Sequence, residues 1–297
     1  MKDLFEIASA TVTGLNHETA GKNNQDAYSL IATKELITAV VCDGCGSSPF
    51  SEFGARFGAR RIARIIHNVC ANYVAFQSYR LSSGIWRENL ARIHSWTLQN
   101  LRKLAEETAE IVPKPPDYKG YGENIINWRR SILDCFLFTV VGVIVTPFDT
   151  LIFSLGDGTY AVNGAIRQLG PFEQNAPPYL AYNLLGSEIK IESPYSRFEL
   201  QEFMATEDVE SILIGTDGVV DFMAAGERCL PGREEIVGPL RQFWEDDRFF
   251  KNPDMLRRRL AMVNKTSLKP DWNEKKMVRT SGLLPDDTTL VVLRRKK

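Results

Sequence analysis

Four short acidic turns carry the residues of this sequence best suited to chemistry. The apolar run Leu36–Val41 leads through Cys42 to Asp43-Gly44, inside V-V-C-D-G-C-G-S-S. An Asp at a strand end followed by glycine points a carboxylate outward, while bare backbone stays within reach of a bound ion. The pattern returns at Leu151–Gly158, ending in Asp157-Gly158, and at Ile212–Gly218, ending in Asp217-Gly218. The pair Asp286-Asp287 then leads into a last apolar run, Thr288–Leu293. One Asp-Gly is an ordinary hairpin turn. Four acidic strand ends in one chain imply carboxylates gathered on one rim of a sheet core. With the Gly44 carbonyl they form a set of hard oxygen ligands suited to Mg²⁺ or Mn²⁺. Two such ions close together lower the pKa of a bridging water and clamp a phosphoryl group for in-line attack.

Rival phosphate chemistries fail on missing residues. None of the five cysteines (42, 45, 70, 135, 229) has the Arg six positions later that a cysteine phosphatase needs. The Gly-Lys at 21–22 is followed by Asn23, so no P-loop is present. His17, His67 and His94 are too few for a histidine-rich dimetal site, and no D-x-D offers an aspartyl-phosphate nucleophile.

The elements that must position these turns read as follows. Phe5–Thr13 and Asp26–Ala32 read as strands, joined by a polar, turn-rich stretch from Gly14 to Asn24. Apolar residues at helical spacing predict a long helix over 52–74, with Pro49 suited to its first turn, and a second over 85–111. Segment 113–123 reads as a loop leading directly back into strand, and the apolar run Leu133–Val145 turns at 146–150 into the strand that ends at Asp157. Thr159–Leu169, with Asn163-Gly164 at its centre, is a hairpin signal. Residues 170–195 read as irregular, 219–225 and 253–264 as helices, and 265–285 as a polar loop. That order argues α+β with antiparallel sheets rather than βαβ winding.

The 297 residues are 44% hydrophobic, enough to bury a full core. With 36 basic and 37 acidic side chains, no global field draws nucleic acid or an acidic membrane. No apolar run has membrane-spanning length and no charged-then-apolar signal segment opens the chain. An odd set of cysteines, mostly in apolar runs, fits reduced thiols in the cytoplasm.

Five motifs in order, N-N-Q-D (23–26), D-G-C-G-S (43–47), G-D-G (156–158), T-D-G-V-V-D (216–221) and D-D-T-T-L-V-V (286–292), resemble the metal-dependent serine/threonine protein phosphatases of type 2C, and within them the compact bacterial branch. The resemblance covers residues 5 to 294 and implies a single domain over 1–297. Its fold would be a β-sandwich of two antiparallel sheets flanked by helix pairs, four layers α-β-β-α, with a variable flap at about 226–253. It implies that Asp43 bridges two metals, that the Gly44 carbonyl binds one, and that Asp217 and Asp286 ligate the second. Asp26 would hold metal-bound water, with Gln25 where the family often has Glu. Asp157 and Asp221 match positions of a third, weaker site. Asp287, where Asn is common, would support the ligands without binding metal, the alternative being that Asp286 and Asp287 exchange roles. The family usually carries a phosphate-binding Arg five residues before Asp26; here that residue is Gly21, beside Lys22. Lysine does not replace a bidentate guanidinium without cost. His17 is the candidate to take over phosphate contact or general-acid duty.

The expected function is an Mn²⁺/Mg²⁺-dependent phosphatase acting on phosphoserine or phosphothreonine in proteins, paired with a cognate serine/threonine kinase. The alternatives are a non-catalytic phosphoprotein-binding sensor or scaffold with the same fold, and hydrolysis of a small phosphorylated molecule. Arg60, Arg61 and Arg64 and Arg257–Arg259 read as solvated helix faces, and the terminal R-R-K-K as a frayed tail. Trp244, Phe249 and Phe250 read as core packing.

Overall fold

The structure, a computed structural model, describes residues 1–48, 50–74, 79–114, 116, 123–173, 176–184 and 197–296. The chain runs β1 (Phe5–Val12), α1 (Leu15–Ala20), β2 (Asp26–Ala32), β3 (Ile37–Asp43), α2 (Ser51–Val74), α3 (Ser83–Ile111) and α4 (Glu123–Asp134). It continues through β4 (Val140–Val145), β5 (Asp149–Leu155), β6 (Gly158–Val162), β7 (Ala165–Leu169), β8 (Glu199–Ala205), β9 (Ser211–Gly215) and α5 (Gly218–Ala224). Short α6 (Gln242–Glu245) and α7 (Arg248–Lys251), then α8 (Met255–Asn264), β10 (Ser267–Asp271), β11 (Lys276–Thr280) and β12 (Thr288–Arg295) complete it.

Two antiparallel sheets, ordered β1-β12-β9-β6-β7 and β2-β3-β4-β5-β8, stack face to face. Strand alternation explains the stacking. Ile37, Ala39 and Val41 of β3 meet Ile212 and Ile214 of β9 and Val291 and Leu293 of β12 between the sheets. Val40 and Cys42 face the other way, toward Ile62 and Ile66 of α2 and Trp86 and Leu90 of α3. On the outer face of the first sheet, Leu213 and Leu290 pack under Phe222, Phe243, Phe249 and Leu260. The result is the expected α-β-β-α sandwich, with β4 buried at every position, as a central strand covered on both faces must be. Trp244 and Phe249 are core residues, with Phe250 packed against them.

Several elements differ from the sequence expectation. The 14–24 stretch contains α1, which ends at Gly21 in the left-handed region, φ 66°. Segment 113–123 does not lead straight into strand: α4 intervenes, and buries Trp128 and Ile132, one turn apart, against the α2–α3 core. The polar loop expected over 265–285 is the β10–β11 hairpin, and β8 follows the irregular 170–195 region. Arg259 is buried, its guanidinium donating to Glu235 and to the carbonyls of Ile236 and Val237. Nor does the tail fray at Arg294 and Arg295: Arg294 pairs with Glu6 and Asp247, and Arg295 donates to the carbonyls of Val209 and Thr206. Pro49, most of 113–123 and residues 185–196 lie outside the described residues.

Candidate metal centre

The four acidic strand ends meet. Asp43, Asp157, Asp217 and Asp286 line one cavity of about 220 Å³ together with Gly44, Cys45, Gly46, Ser47 and Tyr179. Each is delivered by a different element: Asp43 by the end of β3, Asp157 by the β5–β6 turn, Asp217 by the β9–α5 turn, Asp286 by the approach to β12. Asp26 stands opposite Asp43 in the β2–β3 register and is buried. Its Oδ2 accepts a 2.7 Å hydrogen bond from the hydroxyl of Thr216, the residue after β9, which ties β2 to the first sheet. The Gly44 amide donates to the Gln25 carbonyl at 3.1 Å, and a Cβ at Gly44 would lie 2.8 Å from that oxygen, so only glycine lets the turn sit there. Asp221 lies outside the cavity on α5, beside Asp286.

Crowded carboxylates without cations resist ionisation, as Asp26, Asp43, Asp157, Asp217 and Asp221 do here. Burial first, then the charges of Asp26, Asp217, Asp286 and Asp157, push Asp43 well above the ordinary carboxylate range. Burial does the same to Asp26, against the lowering effect of the Thr216 hydrogen bond and with Asp287 and Asp217 adding to the rise. Asp217 is pushed up to about 6 by burial, Asp286 and Asp157. Burial also raises Asp157 and Asp221. Two buried carboxylate oxygens, Asp26 Oδ1 and Asp157 Oδ1, have no hydrogen-bond partner among the described residues. An all-oxygen donor set with orphaned buried acceptors and mutual repulsion fits hard divalent cations. The residues that could hold them are Asp43, Asp157, Asp217, Asp286 and the Gly44 carbonyl.

His17, Asp286 and Asp287 also bring one ligand atom each within 4.8 Å of one another. Asp287, however, is already engaged by three donors. Its Oδ1 accepts from the Gly14 amide at 2.6 Å, and its Oδ2 from the Gln25 amide at 2.6 Å and His17 Nδ1 at 2.9 Å. Asp287 therefore ties α1 and the start of β2 to the strand bearing Asp286. The tie needs close backbone approach: a Cβ on Gly14 would fall 2.3 Å from the Asp286 carbonyl carbon, and one on Gly218 2.0 Å from the Asp287 oxygen. His17 thus lies beside the carboxylate cluster without lining the cavity. Lys22 reaches its rim, with Nζ donating to the Gly46 carbonyl at 3.1 Å.

Sequence reasoning missed Thr216 and Tyr179, while the supporting role expected of Asp287 is the one its hydrogen bonds show. Thr216 was within reach, as the residue before Asp217. Tyr179 sits in a proline-bearing stretch with no pattern to single it out.

The sequence profile of the family described as Protein phosphatase 2C matches residues 13–260. No curated protein sequence matches the chain. Among solved structures, a bacterial serine phosphatase bearing an R161A mutation is similar at 15% identity and TM-score 0.51, over 99% of both chains, which supports the fold. The serine/threonine phosphatase Stp1 from Staphylococcus aureus aligns at 16% identity and TM-score 0.49, over 99% of this chain and 96% of that one. The S. agalactiae serine/threonine phosphatase aligns at 12% identity and TM-score 0.45, over 98% and 100%.

Proposed function

The chain belongs to the protein phosphatase 2C family, and from that premise we propose that it hydrolyses phosphoserine and phosphothreonine in proteins with Mn²⁺ or Mg²⁺. The observation that carries this reading is the convergence of Asp43, Asp157, Asp217 and Asp286 on one cavity, with orphaned buried oxygens on Asp157 and the neighbouring Asp26. When bound, two such ions would lower the pKa of a water between them and neutralise the phosphoryl oxygens.

Asp43 and the Gly44 carbonyl, with Asp217 and Asp286, are the residues that would hold the ions. Asp26, held by the Thr216 hydroxyl, would accept a hydrogen bond from the attacking water. Asp157 and Asp221 would serve a third, weaker position. His17 is held through Nδ1 by Asp287, which leaves Nε2 as the nitrogen able to meet the phosphate or protonate the leaving oxygen. The reaction is direct hydrolysis with no covalent phosphoenzyme. The substrate is a phosphoprotein, with a cognate serine/threonine kinase as the opposing enzyme. Among the described residues no helix is long and apolar enough to cross a membrane. The five free cysteines suit the reducing cytoplasm we assign to it.

A second reading is a non-catalytic sensor that binds a phosphorylated partner. Gly21 in place of a phosphate-binding Arg, and Gln25 in place of Glu, favour it. Hydrolysis of an aryl phosphate with added Mn²⁺ separates the two. We expect turnover that a chelator abolishes, that Asp43→Asn lowers by several orders of magnitude, and that His17→Ala lowers less. A metal-loaded wild type without turnover would leave the sensor reading standing.

A further inference from the structure

Outside the acidic cavity, a second hollow of about 200 Å³ opens at the start of β2, bounded by Thr11, Asn24, Asp26, Tyr28, Arg56 and Arg60. β2 is an edge strand of its sheet, and α2 packs across it. Arg56 and Arg60 lie one helical turn apart on α2, so their side chains share a face. Both are exposed. Neither has a hydrogen-bond or ion-pair partner among the described residues, and the Tyr28 hydroxyl has none either. One buried acceptor borders the hollow, Asp26 Oδ1, which has no hydrogen-bond partner among the described residues. The Asn24 amide donates to the Thr11 hydroxyl at 2.8 Å, and Asp26 turns Oδ2 to Thr216. Two guanidinium forks and a phenol thus line one hollow and have no partner among the described residues. Arg257 and Arg258, by contrast, are paired with Asp254.

We propose that this hollow is an oxyanion subsite that receives a carboxylate or a second phosphate of the phosphoprotein substrate. The inference rests on the phosphatase reading above. Planar guanidinium groups bind carboxylate and phosphate through paired N–H donors, which makes the oxyanion the matching ligand class. Asp26 fixes the distance to the reaction. It borders the hollow and stands opposite Asp43 across one strand spacing of about 4.8 Å. An anion at the two arginines then lies on the order of 10 Å from the acidic cavity. An extended peptide covers that in about three residues. The preferred substrate carries Glu, Asp or a second phosphorylated residue two or three positions from the target.

The test compares two phosphoserine peptides, identical except for Glu or Gln at those positions, on Mn²⁺-loaded wild type and the Arg56→Gln/Arg60→Gln double variant. Wild type should favour the Glu peptide in kcat/KM by about ten-fold or more, mainly through KM, as charge-assisted contacts of this kind allow. The double variant should reduce that ratio to near one. Because the readout is a ratio on one preparation, partial unfolding cancels. An unchanged ratio in the variant overturns the proposal. So does a wild-type ratio near one. If inorganic phosphate inhibits wild type more than the variant while the ratio stays at one, the hollow takes free phosphate and not substrate. Aryl phosphate turnover measured alongside reports on the phosphatase reading separately. Should it be absent, peptide titration calorimetry still decides the role of the arginines.

Discussion

Asp217→Asn in metal-free protein tests the electrostatic account of the cavity most directly. The Asp217 carboxyl, ordinarily near 3.8, titrates at about 6 because burial and the charges of Asp286 and Asp157 oppose its ionisation. Between those values the folded chain keeps a proton that the unfolded chain has lost, so stability falls as pH rises through this window. The penalty is about 3 kcal/mol at pH 8 and about half that at pH 5. A chain of 297 residues has an unfolding entropy of about 0.6 kcal/mol per degree at about 2.1 cal/mol/K per residue. Asp217→Asn, which cannot ionise, should therefore melt about 5 °C above wild type at pH 8 in chelator, and about half as far above it at pH 5. Calorimetric scans of both proteins at the two pH values supply the measurement. Added Mn²⁺ should raise wild type more than the variant, because the cation binds the folded state through the carboxylate that the variant lacks. A variant that melts at or below wild type at pH 8 in chelator would refute the reasoning. Asp217 would then be held by favourable contacts and not opposed by its neighbours.

Two further substitutions address how the cavity is held together. Asp287→Ala strands the buried Gly14 and Gln25 amides and frees His17, and should cost about 2–4 kcal/mol in urea unfolding. An effect within 0.5 kcal/mol of zero would mean that water replaces the carboxylate. Gly14→Ala forces a methyl group to 2.3 Å from the Asp286 backbone, so it should lower both Mn²⁺ affinity and melting temperature. Unaltered Mn²⁺ titration and melting in that variant would show that the β12 approach can yield.

The chain order of residue types already pointed to α+β with antiparallel sheets and to the acidic rim. Continuous apolar runs at Leu36–Val41, Ile212–Gly215 and Thr288–Leu293 mark buried strands, and an Asp beside each run is a local signal that survives without partners. The Asn163-Gly164 turn is equally local, and folds as the β6–β7 hairpin with both residues at positive φ. What is not local was not legible. The β10–β11 hairpin is solvent-exposed along β11 and carries Pro270, so it lacks the buried alternation that identifies a strand. Arg259 and Arg294 look like solvated charges until Glu235 and Glu6 are brought beside them. Asp287 is one of two adjacent, chemically identical residues. Only the fold decides that it receives the amides of Gly14 and Gln25 while Asp286 turns to the cavity. The same holds for Arg56 and Arg60, whose shared hollow needs β1 and β2 as its other walls. Sequence spacing sets which side chains lie on one face of one element; which faces meet depends on backbone hundreds of residues away.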